Sequence, residues 1–326
     1  MSSVVNVAIH ESQAPENVRR DLLESLRTRQ VNHKFHYDSI KQTNKWLALH
    51  QAYSPSRNDA DCALTYDRAF AATVRRIRAK SIHVVGLGCG GGQKDARLLK
   101  LLQTRRKSVC YTPSDVSVAM TLVAQQVART VLPAEKIFPL VCDLATAEDL
   151  AEVISDQAAS STPRLLTFFG MIPNFEPNDI LPKLSALLRP RDTLLFSANL
   201  SPGLDYAAGL KQIFPQYDNE LTREWLLTFL LDLGVERSAG QLRFDIERGA
   251  QSLKRIVARF HFKRRCVLQV ENERFVFNRG QSLRLFFSYR YTPDLVTKHL
   301  AKHGFVVGDQ WITSSGEEGV FLCERR

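Results

Sequence analysis

The chain has 326 residues, 44% of them hydrophobic and 24% charged, with a net charge of +10, so one large domain with an insert, or two domains, is expected. No apolar run reaches the length of a membrane span, and "MSSVVNVAIHESQ" lacks a charged-then-apolar signal pattern, so cytoplasm is the expected compartment. The cysteines at 62, 89, 110, 142, 266 and 323 form no CxxC pair, which argues against a metal cluster or disulfide framework, and the basic balance permits an acidic partner without requiring one.

Residues 1–75 read as a mostly helical N-terminal segment that packs on the core. A different rhythm then begins. "SIHVVGLG" is a short apolar strand and "DARLLKLLQTR" a helix. "KSVCYTPSD" and "KIFPLVCD" are strands ending in an acid, with the helix "VSVAMTLVAQQVARTVL" between them. "EDLAEVISDQAA" and "NDILPKLSALL" read as helices, "PRLLTFFG" and "DTLLFSANL" as strands. Strands alternating with helices predict a parallel sheet covered on both faces. Over 205–285 the rhythm breaks. The helix "NELTREWLLTFLLDLG" precedes alternating runs, "RIVARFHF", "CVLQVENERFVF" and "SLRLFFSYRY", that read as antiparallel strands. This stretch is expected to be an α+β insert lobe over the carboxyl ends of the parallel strands. The sheet domain then comprises 76–204 and 286–326. It finishes with the helix "PDLVTKHLAKHGF" and the strands "FVVGDQWIT" and "GVFLCER", joined by a hairpin at "SSGEEG". An α/β fold with a parallel sheet closed by an antiparallel hairpin resembles the class I methyltransferase (Rossmann-like) sheet, whose last strand runs antiparallel.

"HVVGLGCGGGQKDARLL" carries the chemistry. A strand, a glycine-rich turn and a helix bring free N–H groups close to a ligand. The phosphate loop GxxxxGK[ST] fails, because Gly88 is followed five residues on by Gln93, and Asp95 follows Lys94. Gly86, Gly88 and Gly91 match GxGxxG, a weak signal in so glycine-rich a run. The acids discriminate better. Asp115 and Asp143 end two successive strands, where carboxylates can receive ribose hydroxyls and an adenine amino group, and this fits S-adenosylmethionine (SAM) better than a nicotinamide dinucleotide. The competing reading is that both acids are helix N-caps.

"HKFHYDS", "AYSPSR", "GLGCGGGQK", "TPSDVS", "TFFGMIPNF" and "FSYRYTPD" stand in the order found in the histidine-specific methyltransferase family. The chain resembles that family from about residue 31 to its end. The family includes the ergothioneine-biosynthesis enzymes and the fungal dimethylallyltryptophan N-methyltransferases. The resemblance implies transfer of methyl groups from SAM, without a metal, to the α-amino nitrogen of an amino acid or a derived metabolite, as in secondary metabolism. It places Gly86, Gly88, Cys89, Gly90, Lys94, Asp115, Asp143 and Leu144 around the cofactor. It assigns Tyr37 and Asn174 to orienting the amine, and Tyr37, Tyr53, Asn174 and Ser288 to the substrate pocket. The tyrosine expected near the substrate carboxylate falls by ungapped counting close to Lys211, with Tyr206 and Tyr217 nearby.

Two departures bear on function. Histidine-specific members carry a glutamate two residues before the serine, where this chain has Phe286, so an apolar or aromatic substrate side chain is expected in place of imidazole. Pro173 replaces the usual glycine before Asn174 and is expected to alter that loop. The expected partner is a small-molecule amine. A nucleic-acid methyltransferase is the rival enzyme reading, since Arg243, Arg248, Lys254, Arg255, Arg259, Lys263, Arg264 and Arg265 crowd one region. "IPNF" stands where an adenine-specific NPPY would be, however, and alternating basic residues on a strand more often form a solvated face. A degenerate methyltransferase fold used as a binding subunit is the non-enzymatic rival.

Overall fold

The computed structural model describes residues 4–54 and 58–326, so positions 55–57 of "AYSPSR" lie outside the described residues. The strands in chain order are β1 (Ala8–Ile9), β2 (Ser81–Leu87), β3 (Ser108–Asp115), β4 (Leu140–Val141), β5 (Arg164–Phe168), β6 (Thr193–Asn199), β7 (Gly240–Arg248), β8 (Lys254–Phe262), β9 (Cys266–Val270), β10 (Glu273–Phe277), β11 (Ser282–Arg290), β12 (Phe305–Ile312) and β13 (Glu318–Arg325).

The central sheet has the order β1-β4-β3-β2-β5-β6-β13-β12. β2 to β6 are almost wholly buried, as parallel strands with helices on both faces must be. β13 runs antiparallel to both β6 and β12, which is the hairpin closure expected from "SSGEEG". The chain builds outward from β2 through β3 to β4, then returns to its other side through β5 and β6. That reversal at β2 opens a crevice at the carboxyl ends of the strands, where open α/β sheets bind ligands.

The N-terminal segment does more than pack on the sheet domain. β1 adds a parallel edge strand, with Ala8 opposite Leu140 and Ile9 opposite Val141. Two residues carry no periodicity, so nothing in the sequence marked it. Leu26, Val31 and Phe35 enter a core shared with Trp225, Phe229, Phe260 and Phe286. Tyr66 and Phe70, on the helix Ala60–Arg76, pack instead under the central sheet with Val84 and Leu99. The segment therefore bridges two cores.

The residues between β6 and β12 hold helices Tyr206–Ile213 and Glu220–Asp232, a β9–β10 hairpin and the antiparallel sheet β11-β8-β7. β7 was not among the expected strands, although Leu242, Phe244 and Ile246 alternate along it. β11 pairs with β8 along its whole length, with a bulge at Leu285. The boundary expected at 285/286 thus falls inside a strand. The return to the central sheet comes with the helix Pro293–Lys302 and β12.

Candidate active site

The crevice is a cavity of about 480 Å³ lined by the glycine turn, the ends of β3 to β6, the helix Ile40–Tyr53, the insert and β11. That volume suits a cofactor fragment with a small substrate.

The glycine turn leaves β2 with Gly88 at φ +66°, and a Cβ there would stand 2.4 Å from Met171 Sδ. Gly92, at φ +74°, begins the helix Gln93–Thr104, and its bare Cα lets that helix approach Ala124. Both positions combine left-handed backbone with close approach, which only glycine tolerates. At the end of β3, Asp115 accepts hydrogen bonds from the Gly90 N–H (3.0 Å) and the Ser117 N–H (3.1 Å). Ser117, not Asp115, caps the next helix. Asp143 accepts from the Ala145 N–H, and the next α-helix begins only at Leu150. The capping alternative therefore fails for both acids. Burial raises the Asp115 carboxyl from 3.8 to about 6, with the backbone donors opposing the rise. Asp143 is ion-paired with buried Lys34 (3.3 Å), whose ammonium also holds Asp21 (2.6 Å).

Beyond Gly88 the cavity is bordered by Lys94, Asp95 and Glu318. Lys94 Nζ lies 2.9 Å from Tyr66 OH and 3.7 Å from Glu318 Oε1, and Tyr66 also donates to Glu318. Asp95 accepts from Tyr111 OH (2.6 Å) and Thr167 Oγ1 (2.8 Å). A cation and two buried carboxylates thus flank the glycine turn.

On the other side, Tyr37, Trp46, Trp225 and Phe286 line the cavity. Tyr37 meets Trp46 and Trp225 at ring distances of 5.9 and 5.5 Å. Its hydroxyl has no partner among the described residues, and burial, then the charge of Asp115, hold it neutral well above its ordinary range. Asn174 donates from Nδ2 to the Phe287 carbonyl (2.8 Å), which leaves its Oδ1 available as an acceptor. The helix after it has Glu176 as N-cap residue, so Asn174 is no cap. Pro173 lies in the single 3-10 turn Ile172–Asn174, where its fixed φ fits. Phe286, Ser288 and Arg290 share one face of β11 toward the cavity. Phe287 points the other way, under the guanidinium groups of Arg255 and Arg284.

A family profile described as histidine-specific methyltransferase, SAM-dependent, matches residues 18–325. The chain belongs to the histidine-specific, SAM-dependent methyltransferase family. It is similar to N-methyltransferase imqF of Aspergillus flavus, 25% identical over 82% of this chain and 73% of that protein. It is also similar to N-methyltransferase fsqC of Aspergillus fumigatus, 26% identical over 72% of this chain and 64% of that protein. Among solved structures it is similar to the magnesium protoporphyrin IX methyltransferase of Synechocystis with bound SAH, at 13% identity and TM-score 0.47, over 89% of this chain and 97% of that one. It is likewise similar to the glycopeptide N-methyltransferase MtfA complexed with SAM, at 14% identity and TM-score 0.41, over 80% and 94%.

As a family member the protein is a SAM-dependent methyltransferase, and the site fits that cofactor: a bare glycine cradle, acids at two strand ends and a charged cluster border one cavity. Of the residues expected at the site, Gly88, Cys89, Gly90, Lys94, Asp115, Asp143, Leu144, Tyr37, Tyr53, Asn174, Phe286 and Ser288 line it. Tyr53 sits at the rim, 52% exposed. Two expectations are corrected. Gly86 is not on the wall; a Cβ there would lie 2.4 Å from Asp95 Oδ2, so this glycine makes room for a buried carboxylate. Lys211 is exposed on the solvent side of its helix, and the nearest residues of that region on the cavity wall are Gln216 and Tyr217. Tyr206 is committed elsewhere, donating to the Arg290 carbonyl (2.5 Å). Lys34, Trp46, Trp225, Arg290 and Glu318 were not foreseen. The basic region is cross-linked to acids: Arg255 to Glu247 and Glu176, Arg259 to Glu247, and Arg264 to Glu236. No group of three or more His, Cys, Asp or Glu among the described residues could hold a metal ion, and no helix among them is long and apolar enough to cross a membrane.

Proposed function

We propose that the protein is an N-methyltransferase for the α-amino group of an amino acid or amino-acid-derived metabolite other than histidine. The observation that carries this reading is Phe286. It lies in the cavity wall, 7% exposed, beside Ser288 on the same strand face, in the position where the family resemblance expects an imidazole-gripping glutamate. Its neighbours are the rings of His33, Tyr217 and Trp225, at 5.2, 6.3 and 5.8 Å. A histidine side chain there would leave its ring N–H without the acceptor a glutamate would offer, at a cost of about 1–3 kcal/mol. An aromatic or aliphatic side chain gains contact area instead. The names of both curated relatives support nitrogen as the acceptor.

SAM supplies an electrophilic sulfonium methyl group. The residues of this chain do the rest by positioning. Asp115 and Asp143 would receive hydrogen bonds from the adenosine end, and Lys94 and Glu318 would hold the methionine carboxylate and ammonium. Asn174 Oδ1 and the Tyr37 hydroxyl accept N–H bonds of the substrate amine and turn its lone pair toward the methyl carbon. The attacking nitrogen must be neutral, and the aromatic enclosure of Tyr37, Trp46 and Trp225 destabilises its charged form by desolvation. A turnover screen with SAM over amino acids and their derivatives, read by mass, tests the reading. An aromatic or apolar amine should be methylated in preference to histidine by about five- to 150-fold, the equivalent of 1–3 kcal/mol. Phe286→Glu should depress turnover of that amine and admit histidine. Trimethylation of histidine as the best wild-type substrate would overturn the assignment.

A further inference from the structure

Arg290 is 5% exposed and lines the cavity, yet no carboxylate among the described residues pairs with it. Nε donates to Tyr217 OH (2.9 Å), and Nη1 donates to the carbonyls of Leu200 (3.1 Å) and Glu317 (3.4 Å). Nη2 has no partner among the described residues. The other deeply buried arginine among the described residues, Arg164, is held 2.7 Å from Asp192. A buried guanidinium with neutral partners alone is an uncompensated charge, and such a site favours an anion or a strong acceptor.

The hydroxyl pair beside it has the same polarity. Tyr217 OH and Ser288 Oγ lie 2.9 Å apart, and Tyr217 already accepts from Arg290. Two hydroxyls bring two hydrogens. One is used between them, whichever donates, and the other has no acceptor among the described residues. Arg290 Nη2 and this hydrogen are donors left over in a cavity wall that Phe286 otherwise makes apolar.

We propose that Arg290, Tyr217 and Ser288 form a subsite for an electron-rich oxygen of the amine substrate, a carboxylate or a phenolic oxygen, and that this subsite sets specificity. The inference rests on the amine-methylation reading above and adds the polarity of the substrate. In place of the acceptor that a glutamate at 286 would present, this pocket presents donors and positive charge.

Four amines test it by calorimetry on the full chain saturated with SAH, so that nothing turns over: phenethylamine with neither oxygen group, phenylalanine with the carboxylate, tyramine with the phenol, and tyrosine with both. At least one oxygen-bearing probe should bind tenfold or more tighter than phenethylamine. A gain shared by phenylalanine and tyrosine identifies the carboxylate as the bound group, and a gain shared by tyramine and tyrosine identifies the phenol. The gain should vanish in Arg290→Gln and shrink in Tyr217→Phe, which keeps the ring, while SAH affinity stays constant as the check on folding. Phenethylamine binding as tightly as the other three, or a gain that survives both substitutions, would overturn this inference and leave the amine reading standing. Binding of none of the four, with SAH bound normally, would overturn both.

Discussion

If Asp115 holds the cofactor, as proposed above, cofactor affinity should depend on pH in a direction set by its raised carboxyl. Its carboxyl rises from 3.8 to about 6 because burial outweighs the N–H bonds from Gly90 and Ser117. For an acid whose folded value is raised, the fold is favoured at low pH and loses stability as pH climbs through the window from 3.8 to 6. The rise amounts to about 3 kcal/mol against the charged form at neutral pH. Ribose hydroxyls donating to the carboxylate would recover part of that cost, so cofactor binding should favour the ionised acid and release a proton near pH 6. At pH 5 about one Asp115 in ten is ionised, and SAM should bind about tenfold more weakly than at pH 7.5. Titration calorimetry at both values, in two buffers of different ionisation enthalpy, measures the affinity and the proton released. Asp115→Asn should bind weakly at both values and lose that slope, while any contribution from the ligand's own groups remains. Equal slopes in wild type and variant would refute a cofactor role for this carboxylate.

Two further substitutions test the charged groups at the cofactor end. Lys34→Met removes the ammonium shared by Asp21 and Asp143 and should lower stability by about 3–5 kcal/mol, as for breaking a buried ion pair, read from urea denaturation. A loss below about 1 kcal/mol would show that the buried carboxylates find other compensation. Glu318→Gln should weaken SAM binding by about 1.5–3 kcal/mol, the range for a charged hydrogen bond, and unchanged affinity would remove Glu318 from the methionine end.

The part of the cavity wall at the strand ends was the more legible, because a parallel sheet brings such ends together. Asp115 and Asp143 each close an apolar run, and a parallel sheet delivers such positions to one crevice. The substrate half depends on chain paths that periodicity does not encode. Lys211 was reached by counting through a segment that became the helix Tyr206–Ile213 and a following 3-10 turn, and that helix turns the lysine to solvent. Arg290 did carry a signal: it is two residues beyond Ser288 on a strand whose alternation had already been read, so it shares the cavity face. Glu318 was hidden in "SSGEEG", read only as hairpin punctuation, although it opens β13 as a buried residue against Tyr66. Lys34 lies on a single 3-10 turn, where neither helical nor strand spacing reveals which way a side chain faces.

In-line transfer requires the reacting nitrogen and the methyl carbon to be placed within a fraction of an ångström, yet their walls belong to different sheets. On the reading proposed above, the ends of β2, β3 and β4 hold the cofactor, and β11 and the insert hold the substrate. Hydrogen bonds close the gap. Asn174, just after β5, binds the Phe287 carbonyl (2.8 Å). At the end of β6, Ser201 N donates to the Tyr291 carbonyl (2.7 Å), and Tyr291 N donates to the Asn199 carbonyl (3.1 Å). Arg290 reaches the Leu200 carbonyl as well. β11 is therefore stapled to the sheet on both sides of Ser288, by the Asn174 side chain before it and by the Arg290 side chain and the Tyr291 backbone after it. None of these bonds uses the side chain at 286, so a change there should leave the strand where it meets the crevice. On the reading proposed above, Phe286→Glu should therefore change substrate preference without changing the hydrogen bonds that hold β11 to the sheet.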